Sequence, residues 1–573
     1  MNRRKLNRLH LALMLVLNGT YIGTCIAGHA ALAQSASNRV RFEDITRSAG
    51  IHFKHNNGAT GKKYLPETMG SGVAFLDYDN DGWQDIFFVN GTSFSAQSGH
   101  GTTPALYHNN HDGTFTDVTQ KAGLAISTFG MGVAVGDFDN DGFDDLFLTS
   151  MGQNHLFHNN GNGTFTDVTK KAGLWGPNEF STTAAWVDYD RDGHLDLVVA
   201  NYVQWSPQAD LYCTLDGKTK SYCTPESYRG ASVRLWHNRG NGTFEEVTQR
   251  AGLGDSSSKS LGIAVLDANQ DGWPDLAISN DTQPNKLYIN NRNGTFTEKA
   301  VSAGIAYSED GVVRAGMGID AVDYDHSGYP SILISNFSNQ MMALYHNEQN
   351  GLFVDVAAQS QMGRTSLLTL GFACFFFDYD LDGWPDAFVA NGHIDPDIER
   401  VQKTVHYAEP AHLFHNLGNG EFRNVASEMG SSFAAPRVAR GAAYGDINND
   451  GSPDLVVTTN GGPAVLFRNT GTTNHGLRIK LVGTKSNRDG IGSVVFVQSG
   501  KLAQKSMLRS GSSYLSSSEL LLTFGLGQST KADVVEVHWP SGAVDKLTNV
   551  GGDETLTIKE RSGIIARLPF RKH

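Results

Sequence analysis

The chain has four cysteines in 573 residues, no surplus of basic side chains and no apolar run long enough to cross a bilayer. Each shortage excludes something. Forty-six Lys and Arg against 59 Asp and Glu leave a formal charge of −13, so there is no basic excess to neutralise phosphates, and a nucleic-acid partner is excluded. The only early apolar stretch, Leu9 to Leu17 apart from His10, is interrupted by Asn18, Gly19, Thr20 and Gly23 well short of a span. Catalytic signatures are missing too: there is no Gly-x-Ser-x-Gly, no His-Glu-x-x-His and no phosphate-cradling glycine loop.

What is present begins with an export signal. Arg3, Arg4, Lys5 and Arg8 precede the short apolar run, and Ala31-Leu32-Ala33 offers small residues for cleavage before Gln34. Residues 1–33 are thus expected to be removed, giving a secreted or periplasmic protein with no stable membrane insertion. Cys25 is a poor lipoprotein cysteine because Thr24 precedes it. Of the three cysteines left, Cys213 and Cys223 are close in a polar stretch. In an exported protein a disulfide is the natural reading, contributing about 2–3 kcal/mol. Ligation of a metal by this pair is the weaker alternative, and Cys374, among Phe and Ala, reads as core.

Internal repetition dominates the rest. Acidic loops of the form Asp-x-Asp-x-Asp-Gly-x-x-Asp, some degenerate, begin at Asp77, Asp137, Asp188, Asp267, Asp323, Asp378 and Asp446. Each lies between short apolar runs, such as residues 72–76 and 86–89, so each reads as the turn of a hairpin. A second pattern, Leu-Tyr-His-Asn and then Gly-Thr-Phe-Thr-Asp-Val-Thr, recurs from Leu106, Leu156, Leu235, Leu287, Leu344 and Leu413, and supplies two more strands per unit. Four-stranded units repeated about an axis describe a propeller. The last unit has its third strand at residues 466–469 but lacks the fourth. That motif stands at the start of the mature chain instead, as Phe42-Glu43-Asp44-Ile45-Thr46. The expectation is an all-β fold: a seven-bladed β-propeller over residues 41–470, closed by an N-terminal strand. A small β-domain over 475–560 and a tail at 561–573 follow it.

The acidic loops match what calcium demands, six to eight oxygen ligands in flexible geometry. Carboxylates at positions 1, 3, 5 and 9 can wrap one ion, the carbonyl at 7 adds an oxygen, and the glycine at 6 permits the reversal. Complete sets are Asp77, Asp79, Asp81 and Asp85; Asp137, Asp139, Asp141 and Asp145; Asp188, Asp190, Asp192 and Asp196; and Asp378, Asp380, Asp382 and Asp386. Two loops carry an amide at position 3: Asp267, Asn269, Asp271, Asp275 and Asp446, Asn448, Asp450, Asp454. Loop five keeps Asp323 and Asp325 but has Ser327 and Ser331, and is expected to bind weakly or not at all. An EF-hand would need Glu at position 12 and flanking helices; here position 12 is Phe88 in an alternating strand. Magnesium would demand stricter octahedral geometry. About six structural Ca²⁺ are therefore expected, returning roughly +12 of charge to a mature chain near −17.

The strand 2–3 and 4–1 connections fall on the face opposite these loops, and the large insertions fall there. The longest, residues 201–234, carries Tyr202, Trp205 and Tyr228 with both cysteines of the pair, and residues 391–412 carry His393 and Asp395. These five side chains are the candidates for binding, against the plainer reading of surface decoration and, for His393 with Asp395, a structural hydrogen-bonding pair. The histidines His108, His158, His237, His346 and His415 recur by repeat position and read as architecture.

These patterns resemble the FG-GAP/VCBS repeats related to those of integrin α chains. The C-terminal motifs Ser486-Asn487-Arg488 with Ile491-Gly492, Phe524-Gly525-Leu526-Gly527 and Trp539-Pro540-Ser541-Gly542 resemble the ASPIC/UnbV domain. Their order is that of the cartilage acidic protein family and its bacterial relatives. Departures are loop five and Asp489-Gly490, where an alanine-containing stretch is more usual. The resemblance implies extracellular calcium binding and adhesion or ligand binding, with an extracellular or cell-envelope protein or glycan as partner. The competing class is an enzyme using a propeller-face metal on carbohydrate-like substrates, of the lyase or dehydratase type.

Overall fold

The computed structural model describes residues 40–94, 101–176 and 178–571; the expected signal at 1–33, with Cys25, lies outside them. The described chain is all-β, with helix confined to single turns. Its first part is built of repeated four-stranded antiparallel units. In the first, Val73–Leu76 pairs with Asp85–Phe88 from Leu76 opposite Asp85 to Val73 opposite Phe88, so the acidic loop closes the hairpin as expected. Ala105–Asn109 and Phe115–Asp117 complete it. Around the last acidic loop, Ala439–Gly445, Asp454–Thr459 and Val465–Asn469 are joined by Phe42–Asp44, with Phe42 opposite Asn469.

The hairpin turns share one backbone. Position 4 is left-handed in all seven, at Asn80, Asn140, Arg191, Gln270, His326, Leu381 and Asn449, and so is the glycine at position 6. A side chain there would be strained, which is why position 6 is glycine even in loop five.

Neighbouring units pack face to face through apolar clusters. Phe75, Ile86 and Phe88 of the first unit lie against Ala443, Val456 and Leu466 of the last, while Ala74, Leu76 and Phe87 meet Val133, Leu146 and Leu148 of the second. Each fully buried Phe contributes about 2–3 kcal/mol of apolar burial. The first strands of successive units lie side by side, and Val73–Leu76 touches Ala439–Gly445 as well.

The C-terminal part is a sandwich of two four-stranded sheets. His475–Val482 pairs antiparallel with Leu522–Gly527 and parallel with Glu554–Lys559, and Leu477, Val495, Val535, Trp539 and Leu556 fill the space between the sheets. The tail expected after residue 560 is a correction: Gly563–Pro569 forms an edge strand on Glu554–Lys559. Its side chains are mostly exposed, so there is no apolar alternation to read, and backbone pairing holds it together with Ile564 on the sandwich core and the Arg567–Glu554 ion pair.

Candidate metal centres on the loop face

Each loop organises itself around its first aspartate. Asp77 Oδ1 accepts the Asp81 N–H at 2.9 Å and Oδ2 accepts the Gly82 N–H at 3.1 Å. The same pair of bonds recurs at Asp137, Asp188, Asp267, Asp378 and Asp446. The last aspartate looks the other way. Asp85 Oδ2 accepts the Tyr78 N–H, and Oδ1 accepts the Asn109 N–H at 2.7 Å, which ties the loop to the third strand. Positions 1, 3 and 5 then converge: ligand atoms of Asp77, Asp79 and Asp81 lie within 4.8 Å of one another.

Two observations test whether a cation fits. The inner oxygen of position 3 is buried without a hydrogen-bond partner in three loops, at Asp79, Asp190 and Asp380. A buried acceptor left unpaired costs about 1–3 kcal/mol, and the same oxygen is orphaned each time. In addition, burial first and neighbouring carboxylates second push these acids up: Asp188 to about 7 and Asp382 to about 6, with Asp386 well above the usual range. Such groups cannot all ionise without a counter-charge. The donors are hard oxygens throughout, so the set fits calcium.

Loop five differs as the sequence indicates. Asp325 is engaged by His346 Nε2 at 2.8 Å, and Ser327 and Ser331 replace two carboxylates.

The recurrent histidines stand beside the loops. His108 Nδ1 lies 3.6 Å from Asp79 and 3.2 Å from Asp85, and His158, His237 and His415 repeat the arrangement. Where position 3 is Asn269 or Asn448, the equivalent residue is Ile289 or Arg468, so the histidine accompanies an aspartate at position 3, loop five included.

One set of residues went unread in the sequence. The asparagine ending each third strand donates to a carbonyl in another unit's acidic loop: Asn159 to Tyr78, Asn238 to Phe138, Asn290 to Tyr189, Asn347 to Ala268, Asn416 to Tyr324 and Asn469 to Tyr379. Asn109 donates to Ile447 of the last unit at 2.8 Å. The signal was there, since this Asn persists in every repeat even where the histidine before it is lost.

The loop face is also covered. Arg478 donates to Asp446 at 3.0 Å, Lys480 lies 3.8 Å from Asp77, and Asp489 accepts the Asp137 N–H at 2.8 Å. All three belong to the C-terminal sandwich. Asp489, a departure from the usual pattern, therefore meets loop two directly.

On the opposite face the five binding candidates are brought together but buried. Tyr202, Trp205 and Tyr228 join the core that also holds Tyr64, Phe129 and Cys223, under the 201–233 insertion. Tyr202 donates to Asp281 at 2.5 Å, and Trp205 Nε1 to Asp210 at 3.0 Å. His393 Nδ1 accepts the Asp395 N–H at 3.1 Å, and Asp395 is engaged by Ser221. These candidates for binding are thus not offered to solvent: Tyr202, Trp205 and Tyr228 pack beneath the insertion, and His393 and Asp395 are buried as well. What the insertion exposes is Leu211, Tyr212 and Leu215, with Tyr212 at 68%. Cys213 and Cys223 form the expected disulfide, and Cys374 is buried and free.

Comparison with known proteins agrees with this architecture. Residues 77–148, 137–199, 209–278, 267–334 and 404–457 match the FG-GAP-like repeat, together more than half of the chain, and residues 483–565 match ASPIC and UnbV. The chain belongs to the FG-GAP-like repeat family and carries an ASPIC and UnbV domain. Cartilage acidic protein 1 of Xenopus tropicalis is 25% identical over 506 residues, 84% of this chain and 71% of that protein. The Mus musculus protein of the same name is 23% identical over 66% of this chain, which spans 54% of its length. Among solved structures, an Agrocybe aegerita lectin that recognises non-reducing terminal N-acetylglucosamine is 16% identical with a TM-score of 0.39, over 69% of this chain and 87% of its own. So loose a superposition carries no weight for fold or ligand. No helix among the described residues is long and apolar enough to cross a membrane.

Proposed function

We propose that the chain is an exported, calcium-loaded β-propeller of seven blades, closed by its N-terminal strand, and that it serves as a non-catalytic recognition, adhesion or scaffold protein. The observation that carries the calcium reading is the orphaned oxygen at position 3, repeated at Asp79, Asp190 and Asp380 beside acids that burial and crowding hold above their usual range. Ring closure is supported by the pairing of Phe42–Asp44 with Val465–Asn469 and by the asparagine bonds, which run through all seven units and return from Asn109 to Ile447. About six ions are proposed, one per loop except loop five.

The ions are structural in this reading. They neutralise each turn and free it to hold the hairpin, and the C-terminal sandwich then packs on the neutralised loops. Recognition is assigned to the opposite face, where the disulfide-pinned hairpin presents Leu211, Tyr212 and Leu215 to solvent. The partner class is an extracellular or cell-envelope protein or glycan. Support for a non-catalytic role is that the ring of His393 is held by backbone beneath the surface rather than beside an open cleft. The test is a glycan and extracellular-protein binding screen on calcium-loaded protein, with Tyr212→Ala as the control. A ligand whose binding survives Tyr212→Ala and follows His393→Ala instead would contradict the assignment of the exposed hairpin.

A further inference from the structure

The first strand of each unit has one edge paired with the second strand and the other facing the equivalent strands of the other units, except where Glu179 and Phe180 of the third unit pair with Gly152 and Met151 of the second. Backbone N–H groups on such an edge need acceptors if they are buried. In this chain some of the acceptors come from neighbouring units, as Met131 O for Gly72 and Asp320 Oδ2 for Phe376, and others come from the C-terminal sandwich. Residues 509–520 leave it and run in among the first strands.

Phe75 N–H donates to Ser517 O at 3.1 Å, and Ser517 N–H returns to Val73 O at 2.9 Å. Val133 N–H donates to Leu515 O at 3.1 Å. Ile319 N–H donates to Ser513 O at 3.1 Å, and Ser513 N–H donates back to Ile319 O at 2.7 Å. The segment's hydroxyls serve further units: Ser510 Oγ accepts from Trp186 N–H at 3.4 Å and Ser518 Oγ from Tyr444 N–H at 3.2 Å. Leu515 N–H in turn reaches Thr183 Oγ1. Units one, two, three, five and seven are thus held by one segment.

Its side chains are as enclosed as its backbone. Tyr514 and Leu515 are fully buried, Tyr514 lies edge-on to Phe372, and its hydroxyl donates to Met69 O at 3.0 Å. The strands make room for it. A Cβ on Gly72 would stand 2.1 Å from Leu515 O, one on Gly132 3.0 Å from Leu515 Cα, and one on Gly441 2.7 Å from Ser516 Oγ. These three glycines occupy the same place in their units, five residues before the first loop aspartate. Their lack of a side chain is accounted for jointly by the segment and the neighbouring first strand, since such a Cβ would also stand 2.4 Å from Ser71 O at Gly441 and 2.9 Å from Thr182 O at Gly132.

We infer that residues 510–518 are the permanent occupant of the space enclosed by the first strands, so that the repeats and the C-terminal sandwich fold as one cooperative unit. The sandwich is then a hub for the repeats rather than an appended recognition module, and the enclosed space is closed to soluble ligands. The word hub rests on the ring reading proposed above; the hydrogen bonds do not.

Hydrogen exchange and calorimetry on the full-length, calcium-loaded chain test this. The wild type should unfold in one transition, with the Phe75, Val133 and Ile319 amides exchanging only through global opening. In Leu515→Asp those amides should exchange at least about tenfold faster, and the Asn159 amide, bonded within its own unit, should quicken with them as one cooperative unit requires. Should Leu515→Asp give no soluble protein, Leu515→Ala is read the same way with about a threefold change. Two separate transitions in the wild type, or inner amides unchanged in the soluble variant, would overturn the inference. Single-particle images report the ring independently, so an intact ring with unchanged amides would count against the hub alone.

Discussion

The two faces of the repeat array hold themselves together by opposite means. On the loop face the same acidic turn is written seven times, and its crowded carboxylates lack a counter-charge that the proposed calcium ions would supply. On the opposite face nothing repeats: one insertion, one disulfide and a set of neutral, buried histidines close the surface with the chain's own groups. His412 illustrates the second kind, with Thr369 and Asn424 on its two nitrogens and burial pushing it down to about 4. On the proposed reading, repeated charge is completed by an added ion, whereas unrepeated neutral packing is completed by the chain's own groups.

The largest expected effect separates the faces directly. Chelation should lower the melting temperature by about 15–20 °C, since each ion at a hundredfold excess over its dissociation constant contributes about 2.7 kcal/mol. Scanning calorimetry with and without EDTA reads this. Exchange beneath the 201–233 insertion should rise less than exchange in the loops.

Acid should strike the opposite face by a different route. His393 and His412 are held near 4, below their unfolded value, so the unfolded chain binds more protons as pH falls from about 6.5. Their contribution is full above that value and is lost towards pH 4. At pH 5 the loss is about 2 kcal/mol for each ring. Denaturant melts of wild type and His412→Gln at pH 7 and pH 5 isolate one ring: the variant should lose less between the two. An equal loss would place the acid sensitivity elsewhere.

A single loop substitution should cost about a sixth of what chelation of all the ions does. Asp378→Asn removes a first-position carboxylate and should cost about 3 kcal/mol and one ion per chain. Replacing both Cys213 and Cys223 with Ser should cost about 2–3 kcal/mol while leaving the ion count unchanged. Smallest of all is Asp323→Asn in loop five, expected below about 1 kcal/mol with no ion lost. If the loop-five and loop-six variants behave alike, the distinction between these loops fails.

How much of this was legible followed from the same contrast. Repeated features could be read because repetition separates signal from composition: the hairpin turns, the four strands per unit, the motif at Phe42 and the degenerate fifth loop. The C-terminal domain was legible through its own motifs. Features used once were not. Residues 510–518 are serine-rich and aperiodic, the signature of a loop, and nothing local says that their hydroxyls and carbonyls serve strands hundreds of residues away. Tyr202, Trp205 and Tyr228 read as binding candidates because insertions are usually exposed; their burial depends on Tyr64 and Phe129, which are distant in sequence. The strand Gly563–Pro569 was hidden by its exposed side chains.

Ion stoichiometry tests the central claim most directly. Full-length protein, dialysed against trace calcium and analysed by mass spectrometry for bound metal, should carry about six calcium ions per chain, falling by about one in Asp378→Asn and not at all in Asp323→Asn. A chain that binds no calcium, and melts identically with and without chelator, would contradict the account.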